Sequence, residues 1–215
     1  MPARVSESLV IRTYPFGEAD LIVSYLSRDQ GKLRGVAKRA RRPKSSFGAG
    51  LERMSHVRMV YYQRENRELT TLDSCELIRS PFSLLTSYEM GVALDYLAEL
   101  TEELLPAGET SEKHFRLLLA VLENLFAGRG NPAIVWPSTL YFALWATRLA
   151  GFLPGLRGRP ESLDVAKEVW ERPVRDLTPR HWTRETCADL RHFLHRLIED
   201  HIEKRLHVAP MLENL

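Results

Sequence analysis

Apolar positions along this chain change their period near residue 80. Before it they come in short runs rich in β-branched and aromatic residues, separated by turn formers. Residues 8–14, 21–27, 33–37, 56–62 and 69–78 each read as a strand. Pro15 and Gly17 mark the first turn. Asp29, Gln30, Gly31 and Lys32 mark a hairpin, with Gly31 free to take a positive φ. In the third run Leu33 and Val36 do not alternate, and Gly35 predicts a bulge or a bend. Pro43 breaks the basic loop over residues 38–46, and a charged turn over 63–67 separates the last two runs. No long crossover helix fits between these strands, so an antiparallel sheet is expected.

Pro81 closes the strand region, and beyond it the apolar period becomes helical. Met90, Leu94, Leu97, Ala98 and Leu100 recur at three and four, predicting a helix from about residue 84 that ends at Pro106, Ala107 and Gly108. Ser111 and Gly128 read as the N-cap and stop of a second helix. Asn131 and Pro132 open a third that runs to Gly151. It is apolar nearly all round, as a central buried helix is, and Pro137 should shift or bend its start. Residues 152–178 are irregular, with a short helix over about 163–170. The last helix is expected over 183–206, its buried stripe formed by Leu190, Phe193, Leu194, Leu197, Ile198 and Ile202. The fold class is therefore α+β. A five-stranded Greek-key barrel of the oligonucleotide-binding type (OB-fold) spans residues 1–80, and an all-α domain spans 81–215. An SH3-like barrel reads alike at this level.

Charge sharpens the division. The chain carries a net +2, but residues 1–80 hold 15 Lys and Arg against 9 Asp and Glu, and residues 81–215 hold 15 against 19. The positive charge concentrates over residues 28–46, where Arg28, Lys32, Arg34, Lys38, Arg39, Arg41, Arg42 and Lys44 face one acid, Asp29. Such a concentration is the electrostatic signature of a polyanion partner, most often nucleic acid. Its proline and neighbouring glycines argue against a continuous major-groove helix and for a barrel surface that tracks a phosphate backbone. Tyr14, Phe16, Tyr25, Phe47, Tyr61 and Tyr62 interleave with it. Some are placed to stack on bases, while barrel core is the ordinary role for any one of them.

No run approaches the roughly 20 apolar residues of a membrane span, and the N-terminus lacks the pattern of a signal peptide. A cytoplasmic protein is expected. Two cysteines, Cys75 and Cys187, cannot build a four-cysteine zinc site, and both are expected to be thiols. Glu18 and Asp20 lack a third ligand for a metal. His192, His195 and Glu199 have helical metal-ligand spacing, but a polar stripe opposite the apolar one explains them as well. There is no phosphate-cradling glycine loop and no nucleophile elbow, so no catalysis and no cofactor are expected.

The run Ser-Leu-Val-Ile-Arg-Thr-Tyr-Pro-Phe-Gly-Glu-Ala-Asp-Leu-Ile-Val over 8–23, followed by Gly-Lys-Leu-Arg-Gly-Val-Ala-Lys-Arg-Ala-Arg-Arg-Pro-Lys-Ser over 31–45, resembles the RecO family of bacterial recombination mediators. Residues 96–100 and 150–154 match the family's pattern more loosely. The resemblance implies an OB-fold barrel and a helical domain. It also implies binding of single- and double-stranded DNA, strand annealing, and help for RecA in replacing the single-strand binding protein SSB, together with RecR and without nucleotide hydrolysis. By position, Lys32, Arg34, Lys38, Arg41, Arg42 and Lys44 match the family's basic segment. Arg39 stands where many relatives carry glycine, adding charge where a special backbone conformation is the rule. The family's four-cysteine module after Gly151, Phe152, Leu153 and Pro154 is replaced here by a short cysteine-free segment, so no zinc is expected. The acidic, Phe-ending SSB tail would be met on the helical domain near Phe142, with Arg148 as the candidate cation, because Tyr141 stands where some relatives have a basic residue. Val208 replaces a serine common in relatives. A monomer, nucleoid-associated when on DNA, is expected. An RNA-binding or translation-associated barrel protein is the alternative, and an adaptor whose basic loop docks an acidic protein is a third reading.

Overall fold

The computed structural model describes residues 2–63 and 68–215, so of the charged turn expected over 63–67 only Gln63 lies within the described residues. Five strands come first: β1 Arg4–Phe16, β2 Asp20–Ser27, β3 Gly31–Ala37, β4 His56–Tyr62 and β5 Leu69–Arg79. They close into a barrel in the order β1-β2-β3-β5-β4. All neighbours are antiparallel except β3 and β5, which run parallel from Arg34↔Leu69 to Ala37↔Leu72. The uniformly antiparallel sheet expected from strand spacing is thus corrected. An odd number of strands cannot close a ring with every neighbour reversed, so one parallel pair is obligatory. This Greek-key closure makes the barrel an OB-fold.

Alternation along the strands fills the barrel. Val10, Val23, Tyr25, Leu33, Ala37, Val57, Met59, Tyr61 and Leu72 form one buried cluster. Tyr25 and Tyr61 meet edge to face at 5.9 Å, and the Tyr25 hydroxyl lies 3.1 Å from Thr70 Oγ1. Gly35 makes no bulge: β3 keeps register with β2 throughout. Its role is close approach, since a Cβ there would lie 2.4 Å from Thr70 Oγ1 and 2.7 Å from Leu72 Cδ2 across the parallel seam. The register breaks fall instead on β1, between Val10 and Arg12, and along the β4–β5 pair, between His56 and Val57 and between Val60 and Tyr61.

Two compact units are present, Met1–Ser83 with Leu105–Phe115, and Leu84–Leu104 with Arg116–Leu215. Leu105–Phe115 lies along the start of β3. Lys32 bridges Ala107 in parallel, and the Gly108 N–H donates to the Lys32 carbonyl at 2.8 Å. Arg28 donates to Glu7 at 2.7 Å, and the other Glu7 carboxylate oxygen meets His56 Nε2 at 2.7 Å. The two partners hold the Glu7 carboxyl below its ordinary value against the opposing effect of burial.

The helices are α1 Tyr88–Leu104, α2 Glu112–Ala127, α3 Val135–Leu149, α4 Pro160–Glu171, α5 Ala188–Ile202 and α6 Ala209–Glu213. In the second unit α3 is the centre, packed on α1 and α5, and α6 closes on α1. Pro137 falls in the first turn of α3, where its missing N–H costs nothing. Asn131 caps a preceding 3-10 turn by accepting from the Ala133 N–H at 3.1 Å. Gly128 is not a left-handed stop; its hydrogen leaves room for Ile134, whose Cγ1 would lie 2.7 Å from a Cβ, and Gly130 takes the positive φ of +87°. α5 is shorter than expected at both ends, because Cys187 and Glu203 turn left-handed at φ +54° and +55°.

The histidine spacing on α5 serves packing. His195 Nε2 lies 3.0 Å from the buried Tyr96 hydroxyl, and burial pushes the imidazole down to about 4. Arg191 is covered beneath α6, stacked on Trp136 at 4.5 Å and paired with Glu213 at 3.3 Å. Glu199 accepts from the Leu206 N–H at 3.0 Å and from Arg205 at 2.6 Å. Among the described residues no helix is long and apolar enough to cross a membrane, and no group of three metal-ligating side chains is assembled.

Candidate nucleic-acid interface

The basic stretch divides between β3 and the turns that follow it. Residues 38–55 join β3 to β4 as successive turns, and their apolar members hold them to the barrel. Phe47 and Leu51 are buried in the barrel cluster, and Gly50 passes so close to Cys75 that a Cβ would lie 2.3 Å from the thiol sulfur. Ser46 Oγ donates to the Asp73 carbonyl at 2.7 Å, and the Met54 N–H donates to the Val10 carbonyl at 2.7 Å. At the leading end the Asp20 carboxylate accepts the Arg39 N–H at 2.7 Å, and the Arg41 N–H donates to the Ala19 carbonyl at 3.0 Å. Asp20 therefore shapes the loop, and Glu18 contributes its backbone carbonyl to Arg41 Nη1 at 3.4 Å. Neither carboxylate belongs to a metal cluster among the described residues.

Anchoring by backbone leaves the cationic heads outward. Lys38, Arg39, Arg41, Arg42 and Lys44 are all exposed, and among the described residues none of the five forms an ion pair. Residues 38–51 contain no acid. Arg34 is exposed on β3, just before this run. Lys32 is placed apart from the others. It is buried at 8% exposure, and its charge, after burial itself, helps push the covered His114 imidazole down to about 4. Arg28 is engaged by Glu7 and, at 3.7 Å, by Glu112. Of the eight cations of the stretch, Lys32 is buried near Leu105–Phe115, Arg28 is exposed but engaged by Glu7 and Glu112, and the six from Arg34 to Lys44 face solvent.

Arg39 and Lys44 sit in the left-handed region at φ +56° and +61°, and Met54 closes the same connection at +63°. The replacement of glycine by Arg39 argued against a special backbone conformation at this position, yet Arg39 adopts one. A side chain there costs about 1–2 kcal/mol, offset by the bond to Asp20. The substitution Arg39→Gly should therefore raise stability by about 1 kcal/mol in urea denaturation while removing one cation. Unchanged or lower stability would mean that the backbone at this position carries no strain.

The aromatics divide as sharply. Tyr25, Phe47 and Tyr61 are core, whereas Phe16 is 49% exposed, Tyr62 is 37% exposed and Tyr14 is half-buried. Arg12, which composition did not single out, pairs with Ser24, which in turn pairs with Arg34, so one outward row on β1, β2 and β3 carries two arginines. The break in register between Val10 and Arg12 reverses the parity of β1, and this hid Arg12 in the alternation of the sequence.

On the second unit Phe142 is fully buried in α3. Arg148 is exposed, its guanidinium 5.2 Å from the Trp145 ring and 4.7 Å from that of Trp170. The two residues named for tail binding are not brought together.

The family model described as "Recombination protein O N terminal" matches residues 1–81, and "Recombination protein O C terminal" matches residues 85–159. The DNA repair protein RecO of Koribacter versatilis is 38% identical, with 98% of each chain covered. That of Salinibacter ruber is 30% identical over 74% of this chain and 60% of its own length. That of a Nocardioides species is 35% identical over 69% of this chain and 59% of its own. With both halves of the chain matched and one relative aligned end to end, this protein belongs to the RecO family of DNA repair proteins.

Proposed function

We propose that the chain is a DNA-binding recombination mediator. It binds single- and double-stranded DNA through Arg34, Lys38, Arg39, Arg41, Arg42 and Lys44, anneals complementary strands, and with RecR helps RecA load on SSB-coated DNA. The observation that carries this reading is the anchored loop. Its five exposed cations are free of carboxylate partners among the described residues, and they project from an OB-fold barrel of a DNA repair family. Two single strands repel through their phosphates. A surface that holds one and screens it lowers the encounter barrier while leaving the bases free to pair. That is a binding function with no bond made or broken, so the protein acts without catalysis or cofactor, in the cytoplasm and on the nucleoid. The acidic tail of SSB docks on the helical unit, where Arg148 offers a cation flanked by two indole rings. The buried Phe142 is not offered as part of that contact.

The test is annealing of SSB-coated complementary strands by the purified chain, with and without RecR, in parallel with binding competition between single-stranded DNA and RNA of one sequence. Faster annealing with a preference for DNA is expected. No acceleration, or a preference for RNA, would transfer the barrel to another nucleic-acid role.

A further inference from the structure

We infer that the seat of α6 is a receptor for an acidic peptide of a partner protein, one that presents a bulky apolar residue followed directly by a carboxylate, and that α6 occupies this receptor in cis. The inference concerns the helical unit alone and goes beyond the DNA-binding reading.

The receptor rests on the longer helices. Tyr96 of α1, Leu140 and Ala143 of α3, and Leu194 and His195 of α5 line one narrow cleft with Leu212 of α6. Beside it stands Arg191, whose side chain is 2% exposed. Trp136 backs the guanidinium at 4.5 Å. Nη1 donates to the Thr186 carbonyl and Nη2 to the Arg184 carbonyl, which fixes the plane of the group. Nε and the second hydrogen of Nη2 remain, and together they form the side-on fork that fits a carboxylate. Glu213 fills it: Nε lies 3.3 Å from Oε1 and Nη2 lies 3.4 Å from Oε2. His192 Nε2 adds a contact to Glu213 at 3.4 Å. A guanidinium so covered is costly to leave unpaired, so the site demands a carboxylate and does not merely tolerate one.

The cis occupant is held weakly at its end and firmly at its root. α6 has five residues, too few to hold a helix without its seat. Its N-cap position is Val208, which makes no side-chain bond. Just before it, Glu99 accepts the His207 N–H at 2.7 Å and the Val208 N–H at 2.9 Å, and Leu206 and Val208 are buried. Residues 209–215 therefore swing from a fixed point. Their release loses little beyond the fully buried Leu212 and the Glu213 pair.

The same two residues define the rival. Leu212 supplies the apolar anchor and Glu213 the charge, adjacent in the chain, as in a helix that binds a groove by one face. A free anion lacks the anchor, and a purely apolar peptide leaves Arg191 unmatched. The Arg148 surface is separate, because Leu140 and Ala143 share one stripe of α3 whereas Trp145 and Arg148 share another.

The experiment uses the full chain and a labelled peptide with the sequence of residues 209–215, followed by fluorescence anisotropy and by amide exchange. The peptide is prepared unaltered, with Leu212→Ala and with Glu213→Gln. The proteins are wild type, an opened chain carrying Leu212→Ala with Glu213→Gln, and the opened chain with Arg191→Met added. The opened chain should bind the unaltered peptide at least about tenfold more tightly than wild type does, because the cis competitor is gone. It should bind either altered peptide at least about tenfold more weakly. Adding Arg191→Met should abolish the preference for glutamate over glutamine. In wild type, a large excess of peptide should speed amide exchange over residues 209–215 and leave DNA affinity within about twofold. No binding to the opened chain, equal affinity for the glutamate and glutamine peptides, a glutamate preference that survives Arg191→Met, or unaltered exchange in wild type overturns the receptor. Loss of cooperative unfolding in the opened chain overturns it too, since α6 is then part of the core and not an exchangeable occupant. None of these outcomes touches the basic loop, and a wild type that binds no DNA overturns the functional reading while leaving the receptor in place.

Discussion

Reversal of Arg39, Arg41 and Arg42 to glutamate together should weaken binding of single-stranded and duplex DNA alike, by at least about a hundredfold at low salt. Each side chain removed takes away one counterion-releasing contact, and each carboxylate added repels a neighbouring phosphate. Six cations face solvent from Arg34 to Lys44. At about 0.7 per phosphate on single strands, six contacts give a log–log salt slope of about −4, and three give about −2. The change should therefore appear both in affinity and in the slope, with no dependence on sequence. The fold should survive, because the loop is held by backbone groups and apolar side chains. The Arg39 and Arg41 N–H groups bond to Asp20 and Ala19, and Phe47 and Leu51 sit in the barrel cluster. Unchanged affinity in a folded variant, or a flat salt response of the wild type, would remove this loop from the interface.

The largest effect on stability is expected from Gly31→Ala. Gly31 stands at φ +72°, and a Cβ on it would lie 1.7 Å from the Glu109 carbonyl oxygen and 2.5 Å from its carbon. Backbone cannot yield as a side-chain tip does, so Leu105–Phe115 has to leave the start of β3. The Gly108 bond to the Lys32 carbonyl at 2.8 Å and the Thr110 hydroxyl contact to the Asp29 carbonyl at 3.5 Å go with it. A loss of about 3 kcal/mol or more is expected, with faster amide exchange at Gly108. Gly17→Ala is the control. Gly17 has φ +64° but nothing within 4 Å of the added carbon, so it should lose only the left-handed cost of about 1–2 kcal/mol. Equal losses in the two variants, or unaltered exchange at Gly108, would show that the segment is not held through Gly31.

Much of the barrel was legible in advance for a simple reason. Val57, Met59 and Tyr61 recur at every second position of their run, as do Val23 and Tyr25, and a side chain's face in a strand follows from counting by two. The helical cores were legible by the same logic at a period of three and four, as Leu94, Leu97, Leu190 and Leu194 show. Counting fails wherever the backbone departs from its period. The break after Val10 shifted Arg12, Tyr14 and Phe16 to the outer face, and the left-handed Cys187 and Glu203 shortened α5. Glycines were ambiguous for a related reason. Gly35 and Gly128 are required by what lies opposite them, Thr70 with Leu72 and Ile134, and nothing in their own neighbourhood of the chain reports that.

The sequence by itself determined the strand and helix periods, the division of charge between the halves and the family, because each of these is carried by local spacing and residue type. Charge density over residues 28–46 likewise pointed to a polyanion before any coordinate was known. Only the tertiary structure decided which of those charges face outward. Lys32 is covered beside Leu105–Phe115 and the exposed Arg28 is engaged by Glu7, contacts between positions far apart in the chain, while Lys38 to Lys44 remain exposed and, among the described residues, without ion pairs because Asp20, Phe47 and Leu51 hold their backbone and leave the side chains free. The same holds for the aromatics. Tyr25 and Phe16 look equivalent as sequence, and one is core and the other surface because closing five strands into a barrel gives each row an inside and an outside.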